Sequence, residues 1–445
     1  MTRTSVSAST PPRHRAGAGR PRAEPASAGL RVATTAPPAI PPVPRAAPLT
    51  AAERSPVPDV ARGVALLGIA LANSTSHVTD RVLGPGFRPV DGTGADRATD
   101  GVVGLLVDNR AFPMFTLLVA HGLAVVVRRS AERGAPWPQA RSLLLRRSLW
   151  LGAFGLAHLV LLLEGDVLLT YGLLDLALVL LVRASDRVLL RVGAAGLLPF
   201  LAVGGLDGVA LGEDGATDGL PLAPDTYLAS SATRALGAVV VLLGGPLLVV
   251  CFPSPAVVGL LLARRRVLER PVEHRALLRR LAVGGFALSA PGAVPLVLAS
   301  VQVREVGPAV GYLLGVLHAG TGLAGAGAGA VALVALVGWL VGARQERATS
   351  QGRPWAPRRA WWVAAAVGKR SLTSCLLQSV VMAPLLAPWG AGLGVGAGTA
   401  LVAAVGVATY ALTAVVAVAL ERAGRAGPAE VLLRRLVYGR AASSA

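Results

Sequence analysis

The sequence predicts an all-α fold, a polytopic transmembrane helical bundle of about ten spans with both termini in the cytoplasm. Three observations predict it. The 445 residues are 53% hydrophobic and only 15% charged, whereas soluble domains are about 25% charged. The apolar residues fall in long runs, each near the ~20 residues that a spanning helix needs. The basic residues, which give a formal net charge of +19, gather in alternate connections between these runs.

The N-terminal segment, residues 1–55, is a tail rich in Pro, Ala and Arg, in which eight arginines face only Glu24 and Glu53. Such a segment cannot bury enough apolar surface to offset the entropy of ordering it, so we expect it to be disordered. It has no apolar core of the length that a signal peptide needs. We therefore interpret it as an uncleaved cytoplasmic extension.

A transmembrane domain at 56–425 follows, and its apolar runs predict the helices. The run at 309–341 is too long for one straight span, so we expect part of it to tilt, kink or lie flat. The predicted spans are 59–77, 111–127, 143–163, 166–183, 188–211, 234–262, 279–301, 309–341, 371–389 and 392–420.

Basic and non-basic connections alternate along these spans after the first outer loop, where four arginines meet five aspartates. The connections near Asp166 and at 206–233 carry carboxylates and no basic side chain. The arginine-rich connections are 128–147, 183–191, 264–280 and 344–370. Because cytoplasmic loops are enriched in Arg and Lys, this alternation predicts that both termini lie in the cytoplasm. The membrane is predicted to be a bacterial plasma membrane. Membrane orientation thus accounts for most of the positive charge, and we expect no nucleic acid as a partner.

Residues 426–445 predict a short, basic, amphipathic cytoplasmic helix after the break at Gly427 and Pro428. This composition suits contact with the lipid bilayer at the anionic inner leaflet. Cys251 and Cys375 lie in different predicted spans, so neither a disulfide framework nor a cysteine metal site is indicated. We expect no metal and no cofactor, and the oligomeric state is left open.

Polar side chains at membrane depth are costly and mark contacts or functional sites. Asp59 and Arg62 lie one turn apart at the start of the first span, close enough to pair. They act either as an interfacial anchor or as part of a site. Asn73 lies near the outer end of the same helix, and Arg110 lies at the start of the second span.

His158 and Asp166 are the candidate catalytic residues. His158 lies roughly 9 Å below an outer mouth that carries Glu164 and Asp166, at 1.5 Å rise per residue, and Tyr171 begins the returning helix. A carboxylate beside an imidazole fixes its tautomer and supports the charged form, which suits acid–base catalysis. A structural hydrogen bond between the two helices is the alternative.

His121 and Asp175 each fall near the middle of a span. If their helices touch, we expect the two side chains to neutralise one another, because an unpaired buried charge is expensive. Near the end of the chain, Thr373 and Gln378 follow Lys369 and Arg370 on an entering helix. Their polar groups either line a cavity or hold helices together.

Several stretches together resemble a bacterial membrane family known as DUF418, the YeiB-like proteins. The stretches are Asp59 to Asn73, Arg110 to Leu118, Gly155 to His158 with Gly165 to Tyr171, Gly368 to Ser379, and Gly427 to Arg434. The family is distantly similar to integral-membrane acyltransferases, which use a histidine on the far side of the membrane. In this sequence His77 and His158 are the candidates for such a histidine, since the predicted topology places both on that side.

The resemblance implies a membrane acyltransferase as one hypothesis. A cytoplasmic donor, acyl-CoA or a similar acyl donor acting as substrate, would enter near Arg62, Lys369 and Arg370, and an acceptor hydroxyl or amine would lie at the outer face. The alternatives are a transporter or lipid flippase without covalent chemistry, and a non-catalytic scaffold. The candidate substrate-binding residues are Asp59, Arg62, Asn73, Arg110, Tyr171, Lys369, Arg370, Thr373 and Gln378.

The topology is testable with tags at the two termini. We expect both tags to be inaccessible from outside intact cells and to become accessible only when the membrane is permeabilised. Labelling of either tag in intact cells would overturn the predicted orientation, and with it the outer location of His158 and Asp166.

Overall fold

The structure is a computed structural model that describes residues 55–163, 165–209, 224–245, 249, 251, 253–352 and 357–439, with the backbone alone for 323–328 and 349. The predicted all-α class is confirmed: strand occurs in these residues only as a short antiparallel pair, β1 (Leu83–Gly84) and β2 (Arg88–Pro89). The helices are α1 (Val57–Thr75), α2 (Gly94–Leu106), α3 (Ala111–Glu132), α4 (Trp137–Leu161), α5 (Leu168–Leu181), α6 (Asp186–Gly204), α7 (Tyr227–Leu243), α8 (Pro253–Arg264), α9 (Arg275–Ser300), α10 (Pro308–Ser350), α11 (Arg359–Lys369), α12 (Ser371–Leu386), α13 (Thr399–Arg422) and α14 (Pro428–Tyr438).

Six helical stretches among the described residues are long and apolar enough to cross a membrane, by length and composition. They are Gly94–Glu132, Trp137–Leu161, Asp186–Gly208, Arg275–Ser300, Gly329–Ala348 and Thr399–Arg422. Four further apolar helices (α5, α7, α8 and α12) are shorter. The 14 residues of α5 extend about 21 Å at 1.5 Å per residue, less than the ~30 Å hydrocarbon core of a bilayer.

The helix boundaries differ from the prediction in three places. The predicted span at 234–262 forms two helices, α7 and α8, with a bend at Gly244 after the end of α7. The long run at 309–341 lies within one helix of 43 residues, α10. The helices α2 and α11 were predicted as connections, because they are too short or too polar to resemble spans. The predicted tail at 1–55 lies outside the described residues except for Ser55.

Helix α1 lies at the centre of the bundle and packs against α2, α3, α10, α11, α12 and α13. Its buried face includes Ala61, Ala65 and Leu66. The approach to α11 is closest: a Cβ atom on Gly63 would lie 2.0 Å from the carbonyl oxygen of Ala364. A Cβ atom on Gly368 would lie 1.8 Å from the carbonyl oxygen of Asp59. Backbone contact between α1 and α11 therefore requires glycine on both helices.

Substitution of Gly368 by Ala tests this crossing. The added methyl group would overlap the backbone of α1, and overpacking of this kind costs about 1–3 kcal/mol, so we expect a lower melting temperature in detergent. Gly284→Ala is the matched control, because nothing lies within 4 Å of a Cβ atom there. In that helical position the same change should leave the melting temperature unchanged or raise it. Equal melting temperatures for the two variants would contradict the close approach.

Candidate functional site

His158 and Asp166 form a buried dyad between α4 and α5. His158 Nδ1 lies 2.6 Å from Asp166 Oδ1, and the other oxygen of Asp166 accepts a hydrogen bond from the backbone N–H of Leu169 at 2.7 Å. The carboxylate therefore also caps the first turn of α5. The two helices can approach so closely because Gly155 has no side chain; a Cβ atom there would lie 2.0 Å from the nitrogen of Leu169.

The dyad has the arrangement of a general base. Since the carboxylate of Asp166 accepts, the Nδ1 atom of His158 carries the hydrogen and the Nε2 lone pair is available. The Nε2 atom is buried and has no hydrogen-bond partner among the described residues. Both residues are more than nine-tenths buried, whereas the sequence predicted an open mouth at this position. Glu164, the other carboxylate of that predicted mouth, lies outside the described residues.

A cavity of about 440 Å³ lies at the start of α1, and we name it the Lys369 cavity. It brings together four predicted substrate-binding residues, Asp59, Arg62, Tyr171 and Lys369. Arg62 Nη1 donates to Asp59 Oδ1 at 3.2 Å, so the pair predicted from their spacing is present. Lys369 donates to Glu421 at 2.6 Å. The volume is within the range of small-molecule sites, roughly 300–1,000 Å³.

A second cavity of about 450 Å³, the His318 cavity, lies at the other end of α1 and is lined by Asn73. It also exposes Asp108, Asn109, Asp207 and His318. The Asn109 amide donates to Asp207 at 2.7 Å and lies 3.3 Å from His318 Nδ1. His318 Nε2 lies 3.1 Å from the carbonyl oxygen of Gly104. His318 Nε2 also lies 3.0 Å from Arg110 Nη1, which can only donate, so a guanidinium and a carbonyl oxygen share this ring nitrogen.

Arg88, from β2, supplies positive charge to the wall of the His318 cavity. It pairs with Asp108 at 2.5 Å and with Asp100 at 3.5 Å. Burial opposes its charge, but the two carboxylates outweigh burial and raise the pKa of Arg88 above its ordinary value. The guanidinium therefore stays charged, and it holds the connection between α1 and α2 against the cavity.

One layer of aromatic side chains separates the two cavities. The ring of Tyr171 stacks on Phe112 at 5.1 Å and on Phe115 at 5.3 Å between ring centroids. Tyr171 and Phe115 line the Lys369 cavity, whereas Phe112 lines the His318 cavity. The dyad adjoins this layer, because Val167, next to Asp166, lines the His318 cavity and Leu168 lines the Lys369 cavity. His158 and Asp166 themselves line neither.

The other predicted binding residues do not belong to either cavity lining. Arg110 is buried and donates to Ser289 and to the carbonyl oxygen of Asp108. Arg370 donates to Glu421 and to the carbonyl oxygen of Arg425, which holds the end of α13. Thr373 binds Glu430 of α14. Gln378 donates to the carbonyl oxygen of Leu66 at 3.3 Å, which ties α12 to α1.

The expected pairing of His121 with Asp175 is wrong. Asp175 pairs with Arg147 at 3.2 Å, because α4 packs alongside α5 and its arginine reaches the buried carboxylate. His121 Nε2 instead lies 3.8 Å from Glu269 Oε1, in the connection between α8 and α9. Asp175 therefore pairs with a residue of α4, whereas His121 lies near Glu269 but beyond hydrogen-bond distance of it.

Comparison with known proteins identifies the family. Residues 262–440 match the family model described as "Protein of unknown function (DUF418)". This match over residues 262–440 supports assignment of the chain to the DUF418 family. The matched region runs from the end of α8 through α14 and includes Lys369 and Arg370, whereas His158, Asp166 and all of α1 precede it.

A curated relative is similar to part of this chain. The uncharacterized protein YxaH of Bacillus subtilis (strain 168) is 30% identical over 143 residues, which are 31% of this chain and 35% of the relative. The match thus spans about a third of the relative's length. No solved structure matches the chain.

His318, Asn109 and Asp207 form a cluster that sequence reasoning left without a role. The sequence did contain one signal for His318. An ionisable side chain inside the Gly- and Ala-rich run of α10 is unusual at membrane depth and marks a contact or a functional site. The three residues come from three distant stretches of the chain, so no spacing in the sequence could link them. Among the described residues, no group of three or more His, Cys, Asp or Glu side chains could hold a metal ion.

Removal of Arg147 tests the pairing of Asp175. Arg147→Met leaves a fully buried carboxylate without its partner, and breaking such a pair costs about 3 kcal/mol or more, so we expect a marked loss of thermal stability in detergent. The double variant Arg147→Met with Asp175→Leu should recover most of it. Arg146→Met, at the exposed neighbour, is the matched control and should have little effect. An unstable double variant would show that the ion pair is not the cause.

Proposed function

We propose that this DUF418 chain is an integral-membrane acyltransferase. In this proposal an acyl donor binds in the Lys369 cavity, an acceptor hydroxyl or amine binds in the His318 cavity, and His158 is the general base between them. The observation that carries the proposal is the buried dyad, whose imidazole is oriented through Nδ1 by Asp166 and presents Nε2 without a described partner. A positioned base of this kind contributes about 10²–10⁴-fold to a rate.

The chemistry balances with the residues present. His158 Nε2 takes the proton of the acceptor, whose oxygen or nitrogen then forms a bond to the acyl carbon. The bond between the acyl carbon and the donor's leaving group breaks, and the imidazolium returns its proton to that leaving group. Asp166 stabilises the imidazolium, and Asn73, which lines the His318 cavity, is the residue proposed to stabilise the developing oxyanion.

The proposal requires movement of the layer between the cavities. Leu151 of α4 belongs to the Lys369 cavity lining. His158 lies seven residues further along the same helix, about 10 Å from Leu151 along the helix axis. Because the dyad lines neither cavity, Tyr171 and its stacked partners must shift when ligands bind. Conformational steps of this kind commonly accompany substrate binding in enzymes.

Two cavities at opposite ends of α1 also favour a second function, transport or lipid flipping without covalent chemistry. Asp59 and Asn73 are separated by about 21 Å along α1, so the two cavities lie at well-separated levels along this helix, although the separation is less than the ~30 Å hydrocarbon core. In this case the aromatic layer acts as a gate, and the dyad has only a structural role.

The finer membrane arrangement belongs to the same proposal. We propose ten crossings of the bacterial plasma membrane with both termini in the cytoplasm, so that the Lys369 cavity faces the cytoplasm and the His318 cavity faces outward. The alternation of basic connections supports this orientation. The exposed basic face of α14 would then lie near anionic lipids of the inner leaflet.

The distinguishing experiment uses purified protein with acyl-CoA labelled in the acyl group. We expect loss of the acyl group from the donor, reduced about 100-fold or more in His158→Ala because the base is absent, and reduced in Asp166→Asn. His274→Ala, at the start of α9, is the control and should retain full activity.

Two results would contradict the acyltransferase. Acyl loss that persists in His158→Ala would exclude the dyad as the base. Solute or lipid flux in proteoliposomes without acyl transfer would support the transporter instead, and Tyr171→Ala should then raise that flux.

A further inference from the structure

Helix α14 forms one wall of the Lys369 cavity. Glu430, Leu433, Arg434, Val437 and Tyr438 all belong to the cavity lining. Val437 is only 3% exposed, and Leu433 packs against the main hydrophobic core. The helix itself packs against α4 and α12. It therefore covers a site that would otherwise be open on this side.

A single carboxylate fastens α14 to α12. Glu430 Oε1 accepts hydrogen bonds from the backbone N–H groups of Leu372 at 2.8 Å and Thr373 at 3.2 Å. Glu430 Oε2 accepts from the Thr373 hydroxyl, which in turn accepts from the N–H of Ala429 at 3.1 Å. The N-terminus of a helix favours anions, because its N–H groups are unpaired and its dipole is positive there. An anion of the chain itself thus occupies an anion site at the edge of the cavity.

The charge of the Lys369 cavity favours an anionic ligand. Its lining contains five cationic and three anionic side chains. The lining itself therefore has a formal excess of two positive charges. Behind it, Asp175 and Glu421 pair with Arg147 and Lys369, and Arg128 and Arg370 pair with Glu269 and Glu421. The lining groups are Arg62, Arg129, Arg147, Lys369 and Arg434, against Asp59, Glu269 and Glu430.

The same cavity has an apolar side and an unsatisfied imidazole. Phe115, Val119 and Leu151 supply apolar surface. His121 belongs to the lining, its side chain is 2% exposed, and its Nε2 atom has no hydrogen-bond partner among the described residues. A buried polar atom without a partner is costly, and a ligand in the cavity would supply one. This observation points to a ligand independently of the charge.

We propose that the Lys369 cavity binds an amphiphile with a phosphate-bearing head group, and that α14 is its lid. The phosphate displaces the Glu430 carboxylate from the N-terminus of α12, and α14 then separates from α12. A phosphate carries about −1.5 to −2 charge at neutral pH, which matches the excess positive charge, and its oxygens suit both arginine and helix N–H groups. The inference deepens the proposed function by naming the chemistry of the donor, but binding does not depend on acyl transfer.

Hydrogen exchange of α14 in the full-length protein tests the lid. An isolated helix of 11 residues is unstable in water, so its release should make the amides of 430–438 exchange faster. We expect inorganic pyrophosphate to accelerate this exchange, and Glu430→Gln to accelerate it without any ligand. Because Glu430→Gln removes a charged competitor, it should also tighten pyrophosphate binding about tenfold. Glu273→Gln, at an exposed carboxylate, is the matched control and should change neither.

A second variant covers the case in which Glu430→Gln does not fold. Thr373→Val removes the hydroxyl that both donates to Glu430 and accepts from Ala429, so it should accelerate exchange in the same residues without changing the charge of the cavity. The proposal would be overturned if the folded Glu430→Gln variant bound pyrophosphate no more tightly than the unchanged protein and if hydrogen exchange of 430–438 were unchanged in both Glu430→Gln and Thr373→Val.

Nanodiscs distinguish a soluble ligand from a lipid. Faster exchange with pyrophosphate in phosphatidylcholine discs indicates a soluble phosphorylated compound, whereas faster exchange only in discs with phosphatidic acid indicates a lipid head group. Unchanged exchange in both contradicts the lid. Acyl transfer is not measured, so an inactive protein that still releases α14 would refute only the proposed enzyme, and an active protein whose α14 never moves would refute only the lid.

Discussion

Contact between the backbones of α1 and α11 is the constraint on which the Lys369 cavity depends. Gly63 and Gly368 allow the two helices to touch without intervening side chains. This contact places Lys369, at the end of α11, beside Asp59 and Arg62 at the start of α1. In lipid, where apolar surface gives little net drive for association, such close packing of small residues is a main source of helix affinity. The position of the central helix thus fixes which polar groups can meet.

The membrane-type helical fold and much of the candidate site could be predicted from the sequence. Apolar run length and loop charge are local properties, so they indicate helices without knowledge of neighbours. The contacts of Asp59 with Arg62 and of His158 with Asp166 join residues that are close in sequence. These pairs follow from helix geometry and from one short connection between adjacent helices.

The partners of Asp175 and His121 could not be predicted, because they depend on which helices pack together. The sequence alone offers several arginines on other elements as partners of Asp175. Only the packing of α4 against α5 selects Arg147. The role of Glu430 was hidden for the same reason. Its sequence neighbours indicate an amphipathic surface helix, but its carboxylate binds the first turn of α12, far away in sequence.

The distribution of charge bears on the choice between acyl transfer and transport. Charged groups lie in both cavities, whereas Tyr171, Phe112 and Phe115 separate them. Moving a phosphate through such a layer would leave its charge without partners, at a cost of many kcal/mol. An acyl chain loses nothing in the same surroundings, because its burial is favourable at about 0.8 kcal/mol per CH₂ group. This arrangement therefore favours acyl transfer over transport. In acyl transfer the charged head group stays among the arginines and only the acyl group passes the aromatic layer, whereas transport requires the intact charged molecule to pass.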